Sequence, residues 1–361
     1  MAPVVMELQA RSGFETAVCV TAQHRQMLDQ VLDFFRIKPS FDLNVMRDSQ
    51  DLTDVTSRVL QGMRAVLKEF RPDRVLVHGD TTTTMAVALA AFYERIPVGH
   101  VEAGLRTGNI YAPWPEEMNR RIASAIADMH FAPTATARRN LRREGVAADR
   151  ILVTGNTVID ALKIVVQKIR NSAAVRHELE QRFDFLQRRR RMILVTGHRR
   201  ENFGEGMDAM CRALARIAAR GDVTIVYPVH LNPNVQRAVS GSLSGLSNVY
   251  LIDAQDYVPF VYLMQRAYVI LTDSGGVQEE APALGKPVLV MRDVTERPEA
   301  VKAGVVRLVG TNESRIVRNV AKLLDDPTAY RRMSARTSPY GDGRAARRIV
   351  ESIRRKNAAS G

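Results

Sequence analysis

Short apolar runs rich in β-branched residues recur along the chain, separated by stretches of helical period. In the first half ETAVCVTA, DRVLVHGD, IPVGHVEA and RILVTGN read as strands; in the second, RMILVTGH, VTIVYPVH, NVYLIDA, YVILTDSGG and KPVLVMRD do. Most lack strict apolar/polar alternation, the mark of strands covered on both faces in a parallel sheet. Between them, HRQMLDQVLDFF, DLTDVTSRVLQGMRAVLKEF and GMDAMCRALARIAA repeat apolar residues every three or four positions, which predicts amphipathic helices. This alternation predicts an α/β protein with doubly wound sheets.

The series occurs twice. The pattern predicts one domain over residues 1–156 and a second over 157–340, with the seam at Gly155–Thr157, followed by a terminal helix within 341–361, apolar at Ala345, Ile349 and Ile353. The charge-rich stretch Phe183–Arg191 reads as a solvated connection. The chain opens directly in a helical pattern, Pro3 to Arg11, whereas a doubly wound domain opens with a strand and a ligand-binding turn. Either the topology is unusual or a first strand is absent.

Composition narrows the class. With 45% hydrophobic and 25% charged residues, the 361-residue chain is not disordered, and its length suits two domains. Lys and Arg number 52 against 39 Asp and Glu, a surplus of +13, and 44 of the 52 are Arg. That surplus raises nucleic acid or an anionic ligand as partners, but the Arg residues are scattered over helices without interleaved aromatics, so no nucleic-acid partner is expected. Cys19 and Cys211 stand far apart in apolar segments, which reads as two buried thiols in a reducing compartment. No apolar run reaches the roughly 18 residues of a membrane span, and the N-terminal segment lacks a secretion pattern. A soluble, cytoplasmic protein without membrane partner is expected.

Ligands of open parallel sheets bind beyond the carboxyl ends of the strands, so the residues there are the candidates. His78-Gly79-Asp80, followed by Thr81 to Thr84, offers a carboxylate, or merely a helix cap, beside a polar, anion-tolerant helix start. Glu102 stands in GHVEAGLR near Arg106, and Pro115-Glu116-Glu117 follows the single tryptophan, Trp114; capping alone accounts for either acid there. In the second half, His198 with Arg199 and Arg200 forms a candidate anion site, and His230 ends another strand. Ser274-Gly275-Gly276 places a hydroxyl and bare amides at a helix start, a diphosphate cradle, with Glu280 one turn on in reach of ribose hydroxyls. A GxGxxG fingerprint, a Walker A sequence and metal-ligand spacing are all absent, so neither a metal nor another cofactor is expected.

Taken together, HGDTTTT (78–84), GHVEAGLRTG (99–108), PWPEEMNR (113–120), VTGNTVIDAL (153–162), TGHRREN (196–202), YPVHLNPNV (227–235), LTDSGGVQEEAP (271–282), GKPVLVMRDVTERPEA (285–300) and PYGDG (339–343) resemble the non-hydrolysing UDP-N-acetylglucosamine 2-epimerases of bacteria, in family order over essentially the whole chain. The resemblance implies two Rossmann-like domains facing a cleft, as in GT-B glycosyltransferases, with a C-terminal helix crossing back to the first. It implies reversible inversion of C2 in UDP-GlcNAc to give UDP-ManNAc for surface polysaccharide synthesis, through elimination of UDP to 2-acetamidoglucal and re-addition. Asp80, Glu102, Glu116 and His198 match the acid/base set, without deciding which takes the C2 proton. Ser274, Gly275, Gly276 and Glu280 match the UDP-binding turn, Gln255 and Phe260 the uridine side, and Arg297 a further nucleotide arginine. Gln23, His24 and Gln26, with Arg199 and His230, match a site where a second UDP-GlcNAc activates some members. A homodimer is also implied.

The family opens with an apolar strand, a Gly-Thr-Arg-Pro-Glu segment and a lysine before a helix like MAPVV; this sequence begins at that helix, which suggests a start assigned at an internal methionine. The competing readings are a GT-B glycosyltransferase, a hydrolysing epimerase that releases free sugar, and a catalytically impaired UDP-sugar-binding protein.

Overall fold

The computed structural model describes residues 1–22, 25–47, 49–187, 190–197, 199, 202–335 and 338–360. Among these it contains twelve strands: β1 (Cys19–Val20), β2 (Phe41–Asp42), β3 (Val75–His78), β4 (Val98–Val101), β5 (Met129–Ala132), β6 (Ile151–Val153), β7 (Arg191–Thr196), β8 (Val223–Val229), β9 (Val249–Asp253), β10 (Val269–Thr272), β11 (Val288–Val290) and β12 (Val306–Leu308). Every strand pair is parallel. The α/β reading therefore holds. Sequence patterning missed β2, β5 and β12, which are two to four residues long and too short to show a period. The chain divides into two units, Met1–Ala161 with Tyr340–Gly361, and Leu162–Pro339.

In the second unit the six strands run in the order β12-β11-β10-β7-β8-β9. Read from the other edge this is the doubly wound arrangement, whose direction reverses between β7 and β10. The carboxyl ends of those two strands are tied by their last threonines, Thr196 and Thr272, with hydroxyl oxygens 2.6 Å apart. The core beneath is apolar and fully buried, from Ile193, Ile225 and Leu271 in the sheet to Leu214 and Ile316 on the covering helices. The stretch read as a solvated connection is in part docked. Phe183 is buried and stacks on Tyr262, and Phe185 stacks on Tyr250 with ring centroids 4.2 Å apart.

The first unit carries a four-stranded sheet, β3-β4-β5-β6, and a separate pair, β1-β2. A cavity of about 500 Å³ lies between the two pieces, bounded by residues of β1 and β3 and by Val5, Met63, Val87 and Ile353 from surrounding helices. Helix Leu52–Phe70 starts with a reciprocal capping box between Asp51 and Asp54, and packs Val59, Met63 and Leu67 with Ala86 and Ala90 of helix Thr82–Tyr93. The last helix, Ala345–Ser360, covers the same unit. Its Ile349, Val350 and Ile353 join Val4 and Leu8 of helix Ala2–Gln9 over Val101, Met129 and Phe131. Its first amides, those of Ala345 and Ala346, donate to the Asp160 carboxylate at 3.1 and 2.9 Å, a negative charge at a helix N-terminus.

Candidate active site

Two carboxylates of the first unit stand just past neighbouring strand ends, and a third opens the helix that grips one of them. Asp80 and Glu102 follow β3 and β4, which are neighbours in register from Val75↔Val98 to His78↔Val101. Gly79, at φ +71°, turns the chain out of β3, and the buried His100 donates from Nε2 to its carbonyl oxygen at 2.8 Å. Burial pushes the His100 imidazole down to about 3, so it is neutral at physiological pH. Thr81, not Asp80, caps helix Thr82–Tyr93: its hydroxyl accepts from the Thr84 amide. The Thr84 hydroxyl donates to the His78 carbonyl at 2.6 Å, and those of Thr21 and Thr83 pair at 3.1 Å. The threonine run thus holds the turn together rather than lining it with free hydroxyls.

Asp80 is gripped by helix Glu116–Ile126. The Arg120 guanidinium pairs with its carboxylate, and the Asn119 amide donates to its carbonyl at 3.0 Å. Glu116 precedes these two residues by three and four positions, so it lies on the same helical face. One Glu116 carboxylate oxygen is buried without a hydrogen-bond partner among the described residues. Neither acid of the Pro-Glu-Glu run is a side-chain cap: Pro115 occupies that position, and Glu117 is fully buried.

Glu102 adopts φ +64°, a left-handed conformation that costs a non-glycine residue about 1 kcal/mol or more and is concentrated at functional sites. Its Oε2 accepts from the Asn156 amide at 3.3 Å and lies 3.4 Å from His78 Nε2. A third of the His78 side chain is exposed, and the residue borders the cavity. Desolvation lowers its pKa to about 3, so this contact joins a carboxylate to a neutral ring.

In the second unit the candidates gather where the strand order reverses. Asp273, fully buried after β10, accepts from the Arg199 amide at 2.8 Å and from Asn202 Nδ2 at 3.2 Å, fastening the segment that follows β7. Ser274 then caps helix Gly275–Ala283 without a side-chain cap bond, leaving its hydroxyl at the helix start. A Cβ on Gly275 would lie 3.0 Å from the Arg297 guanidinium carbon, so glycine is what lets that arginine approach. Arg297 is paired with Glu279 at 2.8 Å and Glu296 at 2.6 Å and braces this helix start. Glu280 is buried, its pKa raised to about 7 by desolvation, and it accepts from the Tyr257 hydroxyl. Phe260 lies a turn further along Tyr257's helix, Tyr257–Arg266, and Gln255 just before it donates from Nε2 to Asp253 O at 2.6 Å. His230, exposed beyond β8, accepts from the Asn232 amide. Gln23, His24 and His198 lie outside the described residues, as does the side chain of Gln26.

Sequence reasoning passed over Asn119, Arg120, Asn156, His100 and Tyr257. The first two were within its reach, since they follow Glu116 at helical spacing. Among the described residues no group of three His, Cys, Asp or Glu could hold a metal ion.

The family of sequences described as UDP-N-acetylglucosamine 2-epimerase matches residues 6–354. The UDP-N-acetylglucosamine 2-epimerases of Yersinia pestis and Escherichia coli K12 are each 59% identical to the chain, over 98% of it and 94% of their own length. Among solved structures, UDP-GlcNAc 2-epimerase from Neisseria meningitidis bound to UDP-GlcNAc superposes with a TM-score of 0.95 at 50% identity, covering 98% of this chain and 96% of that one. The Methanocaldococcus jannaschii enzyme in complex with UDP-GlcNAc and UDP gives 0.83 at 31% identity, covering 98% and 95%. With a family match over nearly all of its length and relatives well above half identical, the chain belongs to the UDP-N-acetylglucosamine 2-epimerase family.

Proposed function

We propose that the protein interconverts UDP-GlcNAc and UDP-ManNAc by eliminating UDP to 2-acetamidoglucal and adding it back. The observation that supports this reading most is that Asp80 and Glu102 follow the neighbouring strands β3 and β4 while Glu116 starts the helix that grips Asp80, in a chain whose other unit carries the Ser274-Gly275-Gly276 helix start and Glu280 after β10. Removing the weakly acidic C2 proton needs a positioned base, and returning it to the opposite face needs an acid; carboxylates in different surroundings suit both tasks. His198 completes the acid/base set. The departing diphosphate is stabilised by amides and positive dipole at a helix start, Ser274 to Gly276. Glu280 receives the ribose hydroxyls, Gln255 and Phe260 flank the uracil, and Arg297 holds the turn in shape.

Proton NMR of UDP-GlcNAc with the enzyme in deuterated water tests this. UDP-ManNAc should appear with deuterium at C2 of both sugars. Transfer without washed-in deuterium supports a glycosyltransferase, free ManNAc a hydrolysing epimerase, and binding without turnover an impaired UDP-sugar-binding protein.

The same reading assigns Gln23, His24, Gln26, Arg199 and His230 to a second UDP-GlcNAc that activates the enzyme. Initial rates from UDP-ManNAc alone should show a lag abolished by trace UDP-GlcNAc; an immediate linear rate would argue against it. The protein acts as a homodimer, which sedimentation would register as twice the 40.3 kDa chain mass. It works in the cytoplasm: desolvation raises both free thiols, that of Cys19, which is only partly buried rather than buried as its apolar segment predicts, and that of the buried Cys211, to about 11, which suits unreactive cysteines in a reducing compartment. Among the described residues no helix is long and apolar enough to cross a membrane.

A further inference from the structure

Arg120 occupies an unusual position for an arginine. Only 5% of its side chain is exposed, and it faces two carboxylates at once: one guanidinium nitrogen pairs with Asp80, the other with Glu117 at 3.0 Å. Glu117 has no exposed surface at all. Besides Arg120 it accepts from the backbone amides of Thr107 at 3.1 Å and Gly108 at 3.3 Å, and lies 3.5 Å from Arg121. A buried carboxylate needs such partners, because its desolvation is otherwise uncompensated.

Neutralising Glu117 would require only one edge of the guanidinium. The other edge leaves the helix and engages Asp80, whose carbonyl is held by the adjacent Asn119. We propose that Arg120, locked from behind by Glu117, is the positioning residue for the Asp80 carboxylate and ties it to the loop that begins at Thr107. The inference rests on the reading of Asp80 as a member of the acid/base set.

The planar guanidinium fork supports this role. Its donors have fixed relative directions, so fastening one edge to an immobile carboxylate fixes where the other edge points. Glu117 is immobile because both its oxygens are tied to the 107–108 backbone as well. Asp80 is thereby held at three points: the preceding carbonyl by His100, its own carbonyl by Asn119, and its carboxylate by Arg120. A base loosened by about an ångström loses rate far more than it loses substrate affinity. Lysine could supply the charge but not the fork.

Kinetics of UDP-GlcNAc epimerisation with Arg120→Met, Arg120→Lys, Glu117→Gln, the Glu117→Gln/Arg120→Met double variant and Asp80→Asn test this, with a thermal melt of each. Arg120→Met should lose about 100-fold in kcat with KM within threefold of wild type, and Arg120→Lys should recover part of the rate. The double variant separates positioning from charge balance. Removing the charge of Glu117 should restore the melting temperature lost in Arg120→Met without restoring kcat. Recovery of kcat to within threefold of wild type in the double variant would overturn the inference, as would undiminished kcat in Arg120→Met. If Asp80→Asn is inactive while Arg120→Met turns over normally, the positioning role alone fails. If Asp80→Asn itself turns over normally, the underlying assignment of Asp80 fails instead.

Discussion

The Tyr257 hydroxyl donates a 2.5 Å hydrogen bond to the Glu280 carboxylate, the acid assigned to the ribose. Burial holds that carboxylate near a pKa of 7 although the phenol stabilises its charge. The folded pKa lies above the ordinary 4.5, so Glu280 favours the fold fully below about pH 4.5 and loses that contribution as pH rises through 7, by up to about 3 kcal/mol. Glu280→Gln should therefore flatten the fall in urea midpoint between pH 5 and 8 and weaken UDP binding by tenfold or more. Unchanged UDP affinity by calorimetry would remove Glu280 from the nucleotide site. Tyr257→Phe takes away the charge-stabilising donor, so any ionisation of Glu280 followed through UDP affinity should move to higher pH.

The three carboxylates of the first unit should be separately indispensable. Asp80→Asn, Glu102→Gln and Glu116→Gln should each lower kcat by two or more orders of magnitude, typical of a lost acid or base. Near-wild-type turnover in all three would show that the chemistry lies elsewhere.

His100 and His130 face each other in register on β4 and β5, both buried, and desolvation lowers them to about 3 and about 4. The unfolded chain takes up protons on these rings near pH 6.5 whereas the folded chain does not. Their contribution is therefore complete above pH 6.5 and is lost as pH falls toward 4, at about 1.4 kcal/mol for each tenfold difference in proton affinity between the folded and unfolded chain. Urea midpoints should drop between pH 7 and 5, and less steeply in His130→Gln. Identical slopes in wild type and variant would refute the account.

Two glycines test the backbone argument. Gly104 has φ +90°, and a Cβ there would come within 2.4 Å of the Ala137 carbonyl oxygen, backbone that cannot move aside. Gly104→Ala should cost more than about 2 kcal/mol. Gly79 has φ +71° but open space around its missing Cβ, so Gly79→Ala should cost only about 1 kcal/mol. Equal losses in thermal melts would contradict the distinction.

The alternation of apolar runs and amphipathic stretches was enough to read the α/β class, because strands such as β7 and β8 are long and buried on both faces. β2, β5 and β12, at two to four residues, owe their extended form to neighbours that pattern cannot reveal. Strand-end logic located Asp80, Glu102 and the Ser274 turn, since these follow directly from where β3, β4 and β10 stop. It could not locate Asn156, which meets Glu102 across 54 residues of sequence, or Tyr257, which meets Glu280 across 23. Glu117 was misread for a different reason. An acid in a first helical turn usually faces water, and only the packing of the 107–108 loop over it makes it an interior charge.

The gap between β1 and β3 gives the first unit an uneven mechanical character. In the second unit β7 joins β8 to β10 and carries backbone hydrogen bonds across the whole sheet. The corresponding place in the first unit is the cavity, so among the described residues β1 and β2 share no backbone ladder with the remaining strands. Ladder cooperativity cannot pass across it. The amides of β1 and β2 should therefore exchange with solvent earlier than those of β4 and β5, which a hydrogen-exchange time course would show.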